Sequence, residues 1–364
     1  MAKLDQMVEV AGSVPAAEVM AYRLIREQGP EYLLDLQLLL SIQGKFEMAK
    51  WVNEQALDYD PSDLRAQFNM GWMQLRDGDF SGGILNMNAG RLTDIWGNGF
   101  IDTDKPIWQG EDLTGKRLLF NCEAGFGDEI IFIRFVEDLH KLGAEVTVAC
   151  SESLMSIFNR LPFVSCVIKK ELASAASFDY WLPSMAAPIP LKTEYEDLSG
   201  EPYLTTEQSI VDKYAEIMDS DKLKVGIRWR GLPQFERDQF RKFPEKLMFD
   251  AVNQPGVQAY SLQRDLDYRP PEHVVDLEEN MTSWDETAAI IANLDLVVTS
   301  CTAVAHLAAA LGVKTWVLIP ILHYFVWALP GPTSPWYDSV ELYRQTEFGS
   351  WVEPFNKIAK RLDM

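Results

Sequence analysis

From residue 117 onward, short apolar runs rich in β-branched residues alternate with helical stretches. This alternation predicts an α/β fold with parallel sheets. Strands are expected over 117–122 and 145–149, near 166–168 and 180–182, and then over 225–229, 258–262, 296–298, 315–319 and 340–343. Helices are expected over 129–142, 209–218, 284–293, 303–311 and 351–362. The run 294–320, LDLVVTSCTAVAHLAAALGVKTWVLIP, is the clearest unit. It reads as a buried strand, a small polar turn, a helix stopped by Gly312, and a second buried strand closing at Pro320. Residues 183–202 are proline-rich and irregular, and are expected to line a cleft where the chain crosses between sheets.

The first hundred residues follow another rule. Gly44 and Gly78, Phe46 and Phe80, Ala49 and Gly83, and Ala56 and Gly90 are each 34 positions apart. Pro61 closes the first copy, and Gly71 stands where a small residue lets two helices approach. The period resembles tetratricopeptide repeats, pairs of antiparallel helices. The second copy departs from that pattern, with glycine at two positions usually held by alanine, and a helix before Gly29-Pro30 reads as half of an earlier repeat. Two units are too few for an independent solenoid, so the module is expected to pack on the α/β region after it. Such a module is suited to binding a protein acceptor, to forming a homo-oligomer, or simply to extending the next domain. Residues 97–116, rich in Gly, Asp and Pro, read as a linker, and Asp102-Thr103-Asp104 within it reads as a solvated loop rather than a metal motif.

A formal net charge of −21 argues against electrostatic binding to nucleic acid or anionic lipid. No apolar run is long enough to span a membrane. The N-terminus lacks a signal-peptide pattern, because Lys3, Asp5 and Glu9 interrupt it. Cys122, Cys150, Cys166 and Cys301 form no CxxC pair and are expected to be buried, reduced thiols of a cytoplasmic protein. Four separated histidines share no metal-ligand spacing, so no metal is expected.

Candidate chemistry lies at strand ends. Ser300, Thr302 and Ala303 stand at a predicted helix N-terminus, where free N–H groups and the helix dipole attract a diphosphate. Thr302 acting only as a helix cap is the plainer reading. Gly125 and Gly127 suit a tight turn after the first strand, and Asp128 beside them either complements the helix dipole or takes a proton from a hydroxyl. Arg228, Arg230, Arg237, Arg241 and Lys242 form a basic cluster at another strand end, and Gln263-Arg264 ends the strand after it. Asp265-Leu266-Asp267 reads as a solvated loop, and 322–327 with 334–337 as an aromatic region.

Six ordered blocks then carry a family resemblance: EAGFGDEI at 123–130, GIRWRG at 226–231, RKFP at 241–244, YSLQR at 260–264, TSCTAVAHLAAALG at 299–312 and SPWYDSVELYRQ at 334–345. The set, covering about 30–360, resembles the heptosyltransferase-like glycosyltransferases, in particular those with N-terminal tetratricopeptide repeats, distantly related to O-GlcNAc transferases. The resemblance implies a GT-B architecture: a helical module (1–96), a linker (97–116), an acceptor-side Rossmann-like domain (117–205), a nucleotide-sugar domain (206–345), and a C-terminal helix (346–364) packing back on the N-terminal half. It implies a metal-independent, inverting transfer from a UDP-, ADP- or GDP-linked sugar to a hydroxyl of a glycan or protein, with no other cofactor. Thr302, Ala303 and His306 would meet the donor pyrophosphate with Arg241 or Lys242 as its cationic partner, Arg228 and Arg230 would flank the cleft, Leu262 and Gln263 would lie near the nucleoside, and Asp128 would be the base. Relatives commonly carry Asp at the position of Cys301 and Asn at that of Leu232, so donor preference is open. A catalytically silent nucleotide-sugar-binding scaffold is the alternative, and an epimerase of the same fold is disfavoured by the block set.

Overall fold

The computed structural model describes residues 2–93, 95–96, 99–231, 238–264 and 269–363. Arg237, Leu232 and the 265–267 triplet lie outside the described residues.

The N-terminal region is helical: Ala2–Ala11, Val14–Gln28, Leu33–Ile42, Phe46–Tyr59, Leu64–Asp77 and Phe80–Met87. Local signals set the ends. Ser13 caps Val14–Gln28 by accepting from Ala16 N–H, Asp63 caps Leu64–Asp77, and Asp79 caps Phe80–Met87. Gly78 ends its helix at φ 93°, a left-handed position that glycine takes without strain. The 34-residue spacing thus places Phe46 and Phe80 at the start of the second helix of successive pairs. Gly71 meets Gly83 across the second pair, where a Cβ on Gly71 would lie 2.5 Å from the Gly83 carbonyl oxygen.

Among the described residues, ten strands form two sheets, and every pairing between them is parallel. β1 (Arg117–Asn121), β2 (Glu145–Cys150), β3 (Cys166–Lys169) and β4 (Tyr180–Pro183) pair in the order β3-β2-β1-β4. β5 (Leu223–Arg228), β6 (Val257–Ser261), β7 (Val274–Asp276), β8 (Leu296–Ser300), β9 (Thr315–Ile319) and β10 (Val340–Arg344) pair in the order β10-β9-β8-β5-β6-β7. Strand order reverses between β1 and β4 in the first sheet and between β5 and β8 in the second. Ligands of open α/β sheets bind outside the carboxyl ends at such points.

Period-2 alternation gives the second sheet two apolar faces. Val297, Val317 and Leu342 face a core shared with the helical module and the first sheet. Leu296, Val298 and Trp316 face the other way, onto the helices Glu245–Val252 and Val352–Leu362. The C-terminal helix therefore does not pack back on the N-terminal half as expected. Trp351, Phe355, Ile358 and Leu362, spaced at helical intervals, bury against Phe243 and Phe249, and Arg361 bonds the Tyr343 hydroxyl at 2.7 Å.

Other departures have local causes. The expected helix over 129–142 is two helices, Phe126–Phe132 and Phe135–Lys141. At the break the Arg134 guanidinium takes the Ile131 carbonyl at 3.0 Å, and Val136 N–H turns to Ile133 in a tighter i,i+3 bond. β7 is a three-residue strand too short to stand out in the sequence. Cys166 opens the edge strand β3 and is exposed, while Cys122, Cys150 and Cys301 are buried. Within 97–116, Ile107 lies parallel beside Trp181 of β4, and Trp108 and Leu113 are buried. Among the described residues no helix is long and apolar enough to cross a membrane.

Candidate functional site

The switch point between β5 and β8 gathers most of the expected donor-side residues. β8 ends at Ser300, whose buried hydroxyl has no hydrogen-bond partner among the described residues. Cys301 and Thr302 turn the chain into the helix Ala303–Ala310, with Thr302 in the extended N-cap conformation. The Thr302 hydroxyl lies 3.3 Å from that of Thr299 and makes no capping bond. Arg241, at the end of the short helix Asp238–Arg241, bonds the Cys301 carbonyl oxygen at 2.9 Å. Gly231 makes room for it: a Cβ there would lie 2.2 Å from the Arg241 guanidinium. A cation, a helix N-terminus and a buried hydroxyl with no hydrogen-bond partner among the described residues thus meet at one turn.

Arg228, Arg230, Leu262 and Gln263 brace the neighbouring strand ends. Arg228 Nη1 donates to the Leu262 carbonyl at 2.8 Å, and Gln263 Oε1 accepts from Arg230 N–H at 3.0 Å. Leu262 and Gln263 are buried. Lys242 is exposed.

Across from this site, β1 leads through the turn 122–125 into the helix Phe126–Phe132. The left-handed residue of the turn is Ala124 at φ 54°, whereas Gly125 is extended at φ −96°. The tight turn expected of Gly125 is therefore made by its neighbour, and the Gly125 N–H bonds Asp128 Oδ2 at 2.9 Å in a capping arrangement. Gly127 serves the close approach. A Cβ there would lie 3.2 Å from His306 Cδ2 and 3.6 Å from Ala303 Cα, so the two switch-point helices touch.

Asp128 is half-buried, and desolvation by the surrounding protein raises its carboxyl to about 6 despite bonds from Tyr324 and Gly125 that favour the charged form. The Tyr324 hydroxyl donates to Asp128 Oδ1 from the loop between β9 and β10. His306 is buried, stacked on Trp327 with centroids 5.2 Å apart and planes 5° apart, with Nδ1 3.3 Å from the Tyr337 hydroxyl. Burial, aided by the Arg134 charge, lowers its pKa to about 3, so it is neutral near pH 7. Burial likewise pushes the Cys301 thiol up, and Trp327 Nε1 lies 3.2 Å from its sulfur.

Several residues that hold the halves together have no signal in the sequence. Arg134 donates to the carbonyls of Ser199 (3.1 Å) and Trp336 (2.8 Å) and to the Tyr203 hydroxyl (3.1 Å), lying over the rings of Tyr203 and Tyr337. Phe126 packs edge-on to Trp284 at 5.4 Å. Tyr324 stands in the sequence only as one aromatic among several in 322–327. Among the described residues, no group of three or more His, Cys, Asp or Glu side chains could hold a metal ion.

No protein-family model matches the chain. Protein FlbA of Caulobacter vibrioides is 26% identical over 297 residues, covering 70% of this chain and 48% of FlbA, so the chain spans about half the length of that relative. Similar solved structures are glycosyltransferases. A glycosyl transferase family 9 protein of Veillonella parvula has 10% identity and a TM-score of 0.48, over 65% of this chain and 88% of its own. The ADP-heptose lipopolysaccharide heptosyltransferase II of E. coli has 14% identity and a TM-score of 0.47, over 68% of this chain and 100% of its own. The α/β assignment itself rests on the two parallel sheets and their strand order.

Proposed function

We propose that the crevice between β5 and β8 binds the diphosphate of a UDP-, ADP- or GDP-linked sugar, and that the chain transfers the sugar to a hydroxyl of a glycan or protein acceptor in a GT-B arrangement. The observation that carries this reading is Arg241, seated over Gly231 and bonded to the Cys301 carbonyl at the start of the helix Ala303–Ala310. There its charge, the helix N–H groups and the Ser300 and Thr302 hydroxyls suit the charge that develops on a departing nucleoside diphosphate. Lys242 is close in sequence and exposed toward solvent, able to add a second charge. In this reading no metal is needed, because cation and helix dipole do its work. Asp128 stands across the crevice as base, and a single displacement by the acceptor hydroxyl inverts the anomeric centre. Ionised Asp128 is the active form, so transfer is lost as pH falls through about 6. The helical module then reads as tetratricopeptide-like, presenting its outer helices to an acceptor protein or a second copy.

The test is a thermal-shift series with UDP, ADP, GDP and their sugar forms, followed by transfer assays with the nucleotide that responds. One nucleotide should raise the melting temperature by mass action. Arg241→Ala should weaken it about 10–100-fold, the loss of a charge-assisted hydrogen bond. Asp128→Asn should keep the shift and lower kcat by about 10²–10⁴-fold. No response from folded protein would sink the donor site. A second reading, a nucleotide-sugar-binding scaffold without catalysis, draws on the contact of Gly127 with His306 and of Tyr324 with Asp128, which hold the candidate base engaged. It predicts the shift without transfer.

A further inference from the structure

Asp128 is held by both halves of the molecule. Oδ2 accepts the Gly125 N–H of its own turn, and Oδ1 accepts the hydroxyl of Tyr324 from the far sheet. The loop carrying Tyr324 is anchored by a third party, the helical module. Trp72 Nε1, on the helix Leu64–Asp77, donates to the carbonyl of the adjacent residue His323 at 3.0 Å. The His323 ring lies 5.0 Å from that of Trp72 and 6.4 Å from that of Phe46, and its Nδ1 stands 2.8 Å from the Ile321 carbonyl oxygen. Gly44, in the turn before Phe46, also approaches this loop: a Cβ there would lie 3.5 Å from Ile321. On the other side of Tyr324, Phe325, Val326 and Trp327 are buried. Two hydrogen bonds therefore connect the helical module to the candidate base, with one peptide unit between them.

We propose that Tyr324 is a positioning residue for Asp128, and that the helical module sets the position of Tyr324 through the bond from Trp72 to the His323 carbonyl. The proposal rests on the reading of Asp128 as the base. A carboxylate held by one donor on each oxygen cannot rotate freely, so the remaining lone pair on Oδ1 keeps one direction for an incoming hydroxyl. The same donor stabilises the ionised form against the burial that opposes it. Burial and Asp128 itself hold the Tyr324 hydroxyl well above the ordinary tyrosine range, so it remains a donor at every working pH. The other groups facing this pair are Glu129 on the same helix, which disfavours the Asp128 charge, the neutral Cys301 thiol on the β8 turn, and the neutral His306 and Tyr337 beside Tyr324. Arg241 reaches the Cys301 carbonyl on that turn, and Arg134 lies beyond His306. The helical repeats thus act on the site from within the same molecule, independently of any acceptor they hold.

The experiment uses the full chain with ¹³C-carboxyl-labelled aspartate, the Asp128 signal being assigned by its loss in Asp128→Asn. Tyr324→Phe removes only the hydroxyl, and Trp72→Phe removes the indole donor while keeping an aromatic ring. In the parent protein the Asp128 midpoint should lie near 6. In Tyr324→Phe it should rise by about one pH unit, the worth of a hydrogen bond to a charged group. Trp72→Phe should move it in the same direction by less. The acidic limb of kcat/KM should rise with the midpoint, while the nucleotide thermal shift stays unchanged. An unmoved midpoint in folded Tyr324→Phe overturns the proposal. A shift in Tyr324→Phe with none in Trp72→Phe overturns the part assigned to the helical module. A shifted midpoint with an unmoved pH–rate profile supports the contact but defeats Asp128 as base, so the two readings fail separately.

Discussion

Arg91 and Glu123 illustrate how much one charge pair decides. Their side chains are 4% and 0% exposed, and the guanidinium meets the carboxylate at 2.5 and 2.8 Å. Glu123 follows β1 at the switch point of the first sheet and also accepts the Met185 N–H at 3.0 Å. A residue of the helical module thereby neutralises a buried carboxylate at the carboxyl end of β1. Arg91→Ala leaves a buried carboxylate without its partner, and should lower unfolding free energy by about 3–5 kcal/mol in a denaturant titration. Arg91→Met combined with Glu123→Leu should recover much of that loss, because neither charge then remains buried. At this scale the sequence is partly legible. Arg241 and Thr302 can be singled out as candidates because strand ends and helix starts are places where an anion can bind. Glu123 lies inside the EAGFGDEI block, but nothing local ties it to an arginine 32 positions upstream. Tyr324 is hidden for the same reason, since its partner Asp128 is 196 positions away.

Elements are legible where burial is complete and local punctuation is strong. All five residues of β8 and of β9 are buried, and the intervening helix ends beside Gly312, which takes φ 79°. Where tertiary contacts override the local pattern, legibility fails. The break at Arg134 is made by a side chain bonding its own helix and the far loop, and the C-terminal helix chose its face by docking, which periodicity reports without naming the partner. Helices start at Phe46 and Phe80 as the 34-residue spacing suggests, and Gly71 lies where the two helices of the second pair pack closely. Gly71→Ala would put a methyl 2.5 Å from the Gly83 carbonyl and 2.6 Å from the Met87 nitrogen, and should cost about 1–3 kcal/mol. Gly256→Ala, with nothing within 4 Å of the added carbon, should stay within about 0.5 kcal/mol in the same thermal-melt series.

At the scale of the whole molecule, one apolar core runs from Leu39 and Trp72 in the helical module through Phe120 and Phe132 to Trp327 and Trp336 beside the second sheet. Because this core is continuous across the three parts, unfolding should be a single transition. Far-ultraviolet circular dichroism and tryptophan fluorescence should then give coincident midpoints, and an early helical melt would contradict this. The short segment 106–108 has a consequence of another kind. Trp108 N–H donates to the Trp181 carbonyl at 2.9 Å, and Trp181 N–H returns a bond to Pro106 at 3.2 Å. Without it, β4 would present an open row of backbone groups, the template on which a second chain can add strands and begin a fibre. Beyond β4 the sheet instead ends in this short segment, with the exposed Pro106 and the exposed charge of Lys105 at its start. The protein thereby guards the smaller sheet's margin against growth by its own copies.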